Sequence, residues 1–211
     1  MEGLKRLRPV LIYFVFYMAV FFWLEHRTAK WHMIYSPLDS KIPFCEYFIV
    51  PYVLWYFFVV GTIIYFAFLN KSQQEYYSLI LNLGMGMTLF LIISIVFPNG
   101  HQLRQTVTGE NVFEKAIMVL HRADTSTNVF PSIHVFNSLA CCIALLKNRR
   151  WKQSSMLVAG TVLLTISIIF STIYLKQHSI VDVLGAFVMA AILYPIAYKV
   201  NFRIHLILHR V

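Results

Sequence analysis

An all-α integral membrane bundle of six transmembrane helices is the fold this sequence predicts, and three observations carry that expectation. Apolar residues make up 59% of the 211 and charged residues 13%, against roughly 45–50% and 25% in soluble domains. The apolar residues gather into runs close to the ~20 needed to span a bilayer. Basic residues cluster at alternate connections between those runs, as membrane orientation requires. The length fits a single membrane domain, 1–211, with no appended soluble module.

The runs are Pro9–Leu24, Phe48–Leu69, Tyr77–Phe97, Pro131–Leu146, Ser155–Leu175 and Ser179–Tyr198. The first and fourth are short and can extend into their flanks. The first lacks a small-residue cleavage site and leads into five further runs, so it reads as a span and not a signal peptide. Three connections are tight turns. Two are long, Glu25–Tyr47 and Pro98–Phe130, and long ordered loops are more often functional than idle.

The second long connection has internal structure. Pro98-Asn99-Gly100 breaks the chain after the third run. Asn111 stands three residues before Glu114, the spacing of a capping box. Val112, Phe113, Ala116, Ile117 and Leu120 then recur on one helical face. This predicts a short amphipathic helix, lying in the membrane interface or packed on the bundle top. Either placement walls the mouth of a pocket.

The formal charge is +9, but its distribution reads as topology and not as a nucleic-acid surface. Lys5, Arg6, Arg8, Lys71, Lys147, Arg149, Arg150, Lys152, Lys199, Arg203 and Arg210 all fall on one side of an even-numbered bundle. The positive-inside rule puts that side, with both termini, in the cytoplasm. The small size and the lack of a glycosylated loop point to a bacterial source. Cys45, Cys141 and Cys142 have no metal-ligand spacing and indicate no disulfide framework.

Ionisable residues in or at the mouth of a span are expensive and are functional candidates by default. His134 sits near the start of the fourth run, in Pro131-Ser132-Ile133-His134; His178 opens the sixth, with Asp182 one turn on. The fourth and sixth runs start from the same, non-cytoplasmic side, so the three residues share one depth. Residues four apart face each other on a helix. The Asp182 carboxylate is therefore placed to fix one ring nitrogen of His178 and leave the other as base or nucleophile. With Pro131 at the first helical position, the backbone N–H groups of Ser132, Ile133 and His134 would point at the site and suit a phosphate.

These residues resemble a known family. Pro131-Ser132-Ile133-His134, then Ser171-Thr172, five residues, and His178-Ser179-Ile180-Val181-Asp182, resemble the PSGH and SRxxxxxHxxxD motifs of the type 2 phosphatidic acid phosphatase superfamily. The resemblance extends from about Pro98 to Tyr198. It implies that His178 attacks phosphorus to form a phosphohistidine, that Asp182 orients it, and that His134 protonates the departing alcohol, without metal or organic cofactor. It also implies a membrane-lipid substrate and a site on the extracytoplasmic face.

The departures fall on the cations. In the family's KxxxxxxRP motif, Arg104 stands for the arginine, but Gln105 replaces the proline and Phe97 the lysine. Thr172 replaces the arginine of the third motif and Ile133 the glycine of the second. Arg104 is then the expected phosphate clamp, with Ser132 and Ser171 donating hydrogen bonds to phosphate oxygens. Lys176, Arg122 and His101 are candidates to make good the missing charge. A pocket with fewer cations suits a phosphodiester better than a dianionic monoester. The expected activity is thus a lipid phosphate or diphosphate phosphatase, with a headgroup phosphotransferase resembling the sphingomyelin-synthase and inositol-phosphoceramide-synthase branches as alternative.

Other readings remain. Two histidines and a carboxylate can form a metal triad, and intramembrane polar residues also line transport paths. The remaining histidines, His26, His32, His101, His121, His205 and His209, read as mostly solvent-facing. Trp23, Trp31, Trp55 and Trp151 include interface anchors. Gly84 and Gly86 read as marks of close helix packing.

Overall fold

Apolar residues that cannot be hidden inside a chain this short are arranged around the outside of the bundle. Leu11, Phe14, Phe57, Leu163 and Val188 are among many exposed large side chains, as expected where lipid is the solvent. The computed structural model describes residues 2–208, with the side chains of 2, 123 and 200–208 left out of that description. His209 and Arg210 lie outside the described residues, as do the side chains of Arg203 and His205.

The helices are α1 (Glu2–His26), α2 (Ile49–Ile64), α3 (Gln73–Val96), α4 (Val112–Ala123), α5 (Ile133–Lys147), α6 (Arg149–Lys152), α7 (Ser155–Tyr174) and α8 (Ile180–Leu208). A 3₁₀ turn, Glu46–Phe48, leads into α2, and a π turn, Tyr65–Leu69, ends it. Among the described residues, five segments are long and apolar enough to cross a membrane: Gly3–His26, Glu46–Leu69, Gln73–Val96, Ser155–Tyr174 and Ile180–Lys199. The protein is an all-α membrane protein. The first of these helices begins earlier than the apolar run because Lys5, Arg6 and Arg8 are sound helix formers.

α5 is the exception in length. Its 15 residues rise about 22 Å, at ~1.5 Å each, short of the ~30 Å hydrocarbon core. It packs against α2, α3, α7 and α8, and Val135, Phe136, Ala140, Cys141, Ala144 and Leu145 are all buried. A helix enclosed by other helices does not have to match the bilayer by itself. α5 packs tightly on α3 at Gly86, where an added Cβ would lie 1.9 Å from the Phe136 ring. Gly84 has open space instead, and its carbonyl accepts from the Tyr13 hydroxyl at 3.1 Å.

Polar contacts tie each end of the bundle together. At one end, Asn148 caps α6 through Trp151 N–H, accepts from Tyr65 Oη at 3.0 Å and donates to Glu75 Oε2 at 2.6 Å. At the other, the two long connections join. β1 (His32–Met33) runs parallel to β2 (Asn99–Gly100), and Gly100 also bridges to Thr127 on its far side. Main-chain bonds from Ile34 N to Gly100 O, His101 N to Ser126 O and Asn128 N to Asn99 O complete this cover.

α4 packs on top of the bundle. Ile117 is fully buried with Ile49, Tyr52 and Leu175, while Val112 and Val119 face outward. The Asn111 side chain caps it by accepting from Glu114 N–H at 2.9 Å. The reciprocal half of the expected capping box is absent. The Glu114 carboxylate instead collects Gly109 N–H at 2.7 Å, Glu110 N–H and the Thr108 hydroxyl, because Gly109, at φ +80, turns the preceding loop back over the helix start.

Candidate active site

The short link between α7 and α8 delivers the first histidine. The Thr172 carbonyl accepts from both Gln177 N–H and His178 N–H at 3.0 Å, and Lys176 adopts φ +57. This tight turn leaves His178 just before α8, with Nδ1 3.3 Å from Asp182 Oδ2. The same oxygen accepts Ser179 N–H at 2.8 Å, so the carboxylate is held by the helix start it serves. Asp182 is fully buried.

The start of α5 delivers the second. Ser132 is its N-cap, with Oγ accepting from Val135 N–H. Pro131 therefore precedes the cap and does not occupy the first helical position. The expected trio of free N–H groups is reduced as well. Ser132 N–H donates to the Asp182 carbonyl at 3.1 Å, stitching α5 to α8, which leaves the first-turn groups of Ile133 and His134.

His134 and His178 face one another with ring centroids 5.8 Å apart. Both are largely buried. Burial holds the His178 imidazole neutral, down to about 3, with the nearby Arg104 guanidinium acting in the same direction and the Val129 carbonyl opposing. A neutral imidazole with one nitrogen facing a carboxylate keeps a lone pair on the other. Neither nitrogen of His134 has a hydrogen-bond partner among the described residues. Buried polar groups are nearly always paired, so an orphan needs a reason, and a catalytic role is one.

Sequence reading missed the surroundings of His134. Tyr52, Trp55 and Tyr56 pack around its ring at 4.6, 4.2 and 6.3 Å between centroids. The Tyr52 hydroxyl and Trp55 Nε1 are also buried without partners. Trp55 is thus a wall of the site and not an interface anchor. Its spacing from Tyr52 along α2 gave a helical face, but nothing in the sequence said which helix that face meets.

The candidate cations separate clearly. Arg104 donates to the carbonyls of Asp124 and Thr125 at 2.7 and 2.6 Å, and its guanidinium lies 3.7 Å from Asp124 Oδ2. Its Nε is buried without a partner. Burial lowers its pKa, and burial raises Asp124 to about 6 against the pull of Arg104. Lys176 spends its ammonium on the carbonyls of Asp39 and Ile42. Arg122 is exposed at the end of α4. His101 is buried, not solvent-facing: one ring nitrogen meets the Gln177 carbonyl at 2.7 Å, the other accepts Leu103 N–H at 3.1 Å, and burial holds it down to about 4. It is a neutral strut. Ser171 and Thr172 are fully buried and donate to the carbonyls of Ile168 and Ile169. Among the described residues, no group of three or more His, Cys, Asp or Glu is placed to hold a metal ion.

Comparison of the sequence with known families adds a separate finding. Residues 111–205 match the PAP2 superfamily. The match covers just under half of the chain and supports membership of that superfamily, whose members are phosphatases or phosphotransferases. The matched segment holds His134, His178 and Asp182; Arg104 lies before it. No curated protein and no solved structure gives a significant match.

Proposed function

We propose that the chain is a metal-independent lipid phosphate or lipid diphosphate phosphatase working through a phosphohistidine. The observation that carries this reading is the facing pair of buried imidazoles, one oriented by Asp182 and the other with both nitrogens free. His178 attacks phosphorus with the lone pair of Nε2, while the proton on Nδ1 faces Asp182. As the P–N bond forms and the P–O bond breaks, protonated His134 gives its proton to the departing alkoxide. Neutral His134 then takes a proton from water, whose oxygen attacks phosphorus and releases phosphate from His178. Splitting one displacement into two gives each step a positioned acid or base.

Arg104 is assigned as the phosphate clamp: its positive charge is felt at His178 and its Nε has no partner among the described residues. Ser132 is assigned as a hydroxyl donor at the α5 start. Helix order and the basic residues at the opposite end support a site on the extracytoplasmic side with the termini in the cytoplasm.

A second reading is favoured by one observation. Lys176 and His101 are committed to main-chain partners, and Thr172 stands where the family has arginine. A site relying on Arg104 and neutral donors fits a singly charged phosphodiester. An acceptor hydroxyl then replaces water in the second step, and the product is a lipid carrying the transferred headgroup.

Purified protein in liposomes, given labelled lipid phosphates and phospholipids with diacylglycerol or ceramide as acceptors, tests both. Free phosphate lost in His178→Ala supports the phosphatase. A new headgroup-bearing lipid, also lost in the variant, supports the transferase. Neither product on any substrate overturns both readings. Unchanged turnover and affinity in Arg104→Ala removes the clamp assignment.

A further inference from the structure

The first long connection approaches the site through one residue. Asp39 is 3% exposed, a position carboxylates seldom occupy unless fully paired. Its Oδ2 accepts from the Ser179 hydroxyl at 2.6 Å and from Ser36 N–H at 2.8 Å, and its Oδ1 accepts from Ile180 N–H at 2.9 Å. Ser179 N–H meanwhile donates to Asp182 Oδ2. Ser179 is thus a two-sided coupling, its hydroxyl on one carboxylate and its amide on the other. The reverse tie is Lys176, whose ammonium binds the carbonyls of Asp39 and Ile42. Cys45 N–H adds a bond to the Tyr174 carbonyl at 3.1 Å. His178 therefore sits between two points at which this loop grips the chain.

A carboxylate at a helix N-terminus satisfies unpaired N–H groups and complements the dipole. Usually it comes from the residue at the helix start; here it comes from a loop some 140 residues earlier in the chain. An isolated cap needs no second tie through Lys176, nor a serine shared with Asp182. Those additions fix the α8 start relative to the loop, and with it the direction of the His178 ring.

We infer that Asp39 is a positioning residue for His178, acting through Ser179 and the first turn of α8. The inference rests on His178 being the nucleophile. It makes the first long connection part of the catalytic apparatus, and not only a lip over the pocket. Asp39 touches neither substrate nor the reacting atoms.

The test uses the full chain in detergent with Asp39→Ala, Asp39→Asn, Ser179→Ala and the double variant Asp39→Ala/Ser179→Ala. Turnover is measured beside the ring-nitrogen NMR signals of ¹⁵N-histidine protein, the His178 signals being identified by their loss in His178→Gln. Misplacing a reacting group by about 1 Å costs on the order of 100-fold. Asp39→Ala is expected to lower kcat by roughly 10- to 100-fold with KM nearly unchanged, and to shift the His178 tautomer signals. Asp39→Asn, which keeps one acceptor oxygen, recovers part of the loss. Ser179→Ala reproduces part of it and adds little in the double variant, as coupled sites do.

If kcat and the His178 signals are unchanged in folded Asp39 variants, the inference is overturned. It is equally overturned if activity falls only in proportion to unfolded protein while the signals stay put. If the wild type turns over no lipid, the proposed function fails separately. The histidine signals then decide alone: a shift in Asp39→Asn supports the positioning role, and no shift removes it.

Discussion

His134 lies against Trp55, ring centroids 4.2 Å apart, and the indole N–H and both imidazole nitrogens are buried without partners in the protein. Two rings that pack well while leaving three polar atoms unpaired need a reason, and under the proposed function the indole N–H and an imidazole N–H would donate to substrate oxygens.

Tyr52→Phe keeps the ring and removes the donor, whereas Trp55→Phe removes the donor and also shrinks the ring. A hydrogen bond to a charged group is worth ~1.5–3 kcal/mol, so each variant is expected to lower kcat/KM by roughly ten- to a hundredfold. In Tyr52→Phe stability is expected to hold or rise, since an unpaired buried donor is removed; in Trp55→Phe the cavity lowers it. For Tyr52→Phe, thermal unfolding beside lipid turnover separates this from a packing role, which would lower both.

The two histidines are distinguishable by leaving group. Loss of a general acid costs about 10²–10⁴-fold. In the first step, the transfer of phosphate to His178, His134→Ala should lose that much on an alkyl phosphate and far less on a nitrophenyl phosphate, whose phenolate departs without a proton. His178→Ala should be inactive on both and should fail to take up label from a ³²P-phosphoester. Asp182→Asn should retain labelling at a rate reduced by a factor on the order of 100 or more.

Acid should destabilise the fold through His101. Its pKa in the folded protein is about 4 against an ordinary 6.5. Between those values the unfolded chain binds more protons, so stability falls as pH drops from 6.5 towards 4. Asp124 works with the opposite sign, because its carboxyl is raised from 3.8 to about 6 and the folded form holds the extra proton. Unfolding temperatures from pH 7 to 4.5 should therefore decline less steeply in His101→Gln and more steeply in Asp124→Asn.

Gly86→Ala should destabilise the bundle, since the new Cβ would meet the Phe136 ring at 1.9 Å and overpacking costs about 1–3 kcal/mol. Gly84→Ala has open space and should be neutral or slightly stabilising, alanine being the better helix former. Detergent unfolding of the two variants reads the difference directly.

Hydropathy made the helices legible, because a membrane leaves the sequence few other ways to use such runs. His178 and Asp182 were legible because their contact is local, a spacing of four on one helix. His134 joined them through the matching direction of its helix. The rest depends on contacts between distant segments. Asp39 gave no signal of its own, since nothing in Pro37-Leu38-Asp39-Ser40 names a helix start 140 residues away. His101 read as exposed because its partner is the main-chain carbonyl of Gln177, which no side-chain pattern announces. Gly84 and Gly86 look alike in sequence; only Phe136 on the facing helix tells them apart.

The two long connections are laced together through main-chain atoms: His32 N to Pro98 O, Ile34 N to Gly100 O, His101 N to Ser126 O, Asn128 N to Asn99 O. Stitches of that kind are indifferent to most side chains. Met33 and Tyr35 stand exposed on this cover, as does His32, and each is free to be exchanged without unpicking a stitch. A lineage could therefore redraw this cover one residue at a time while the seam beneath it stays closed.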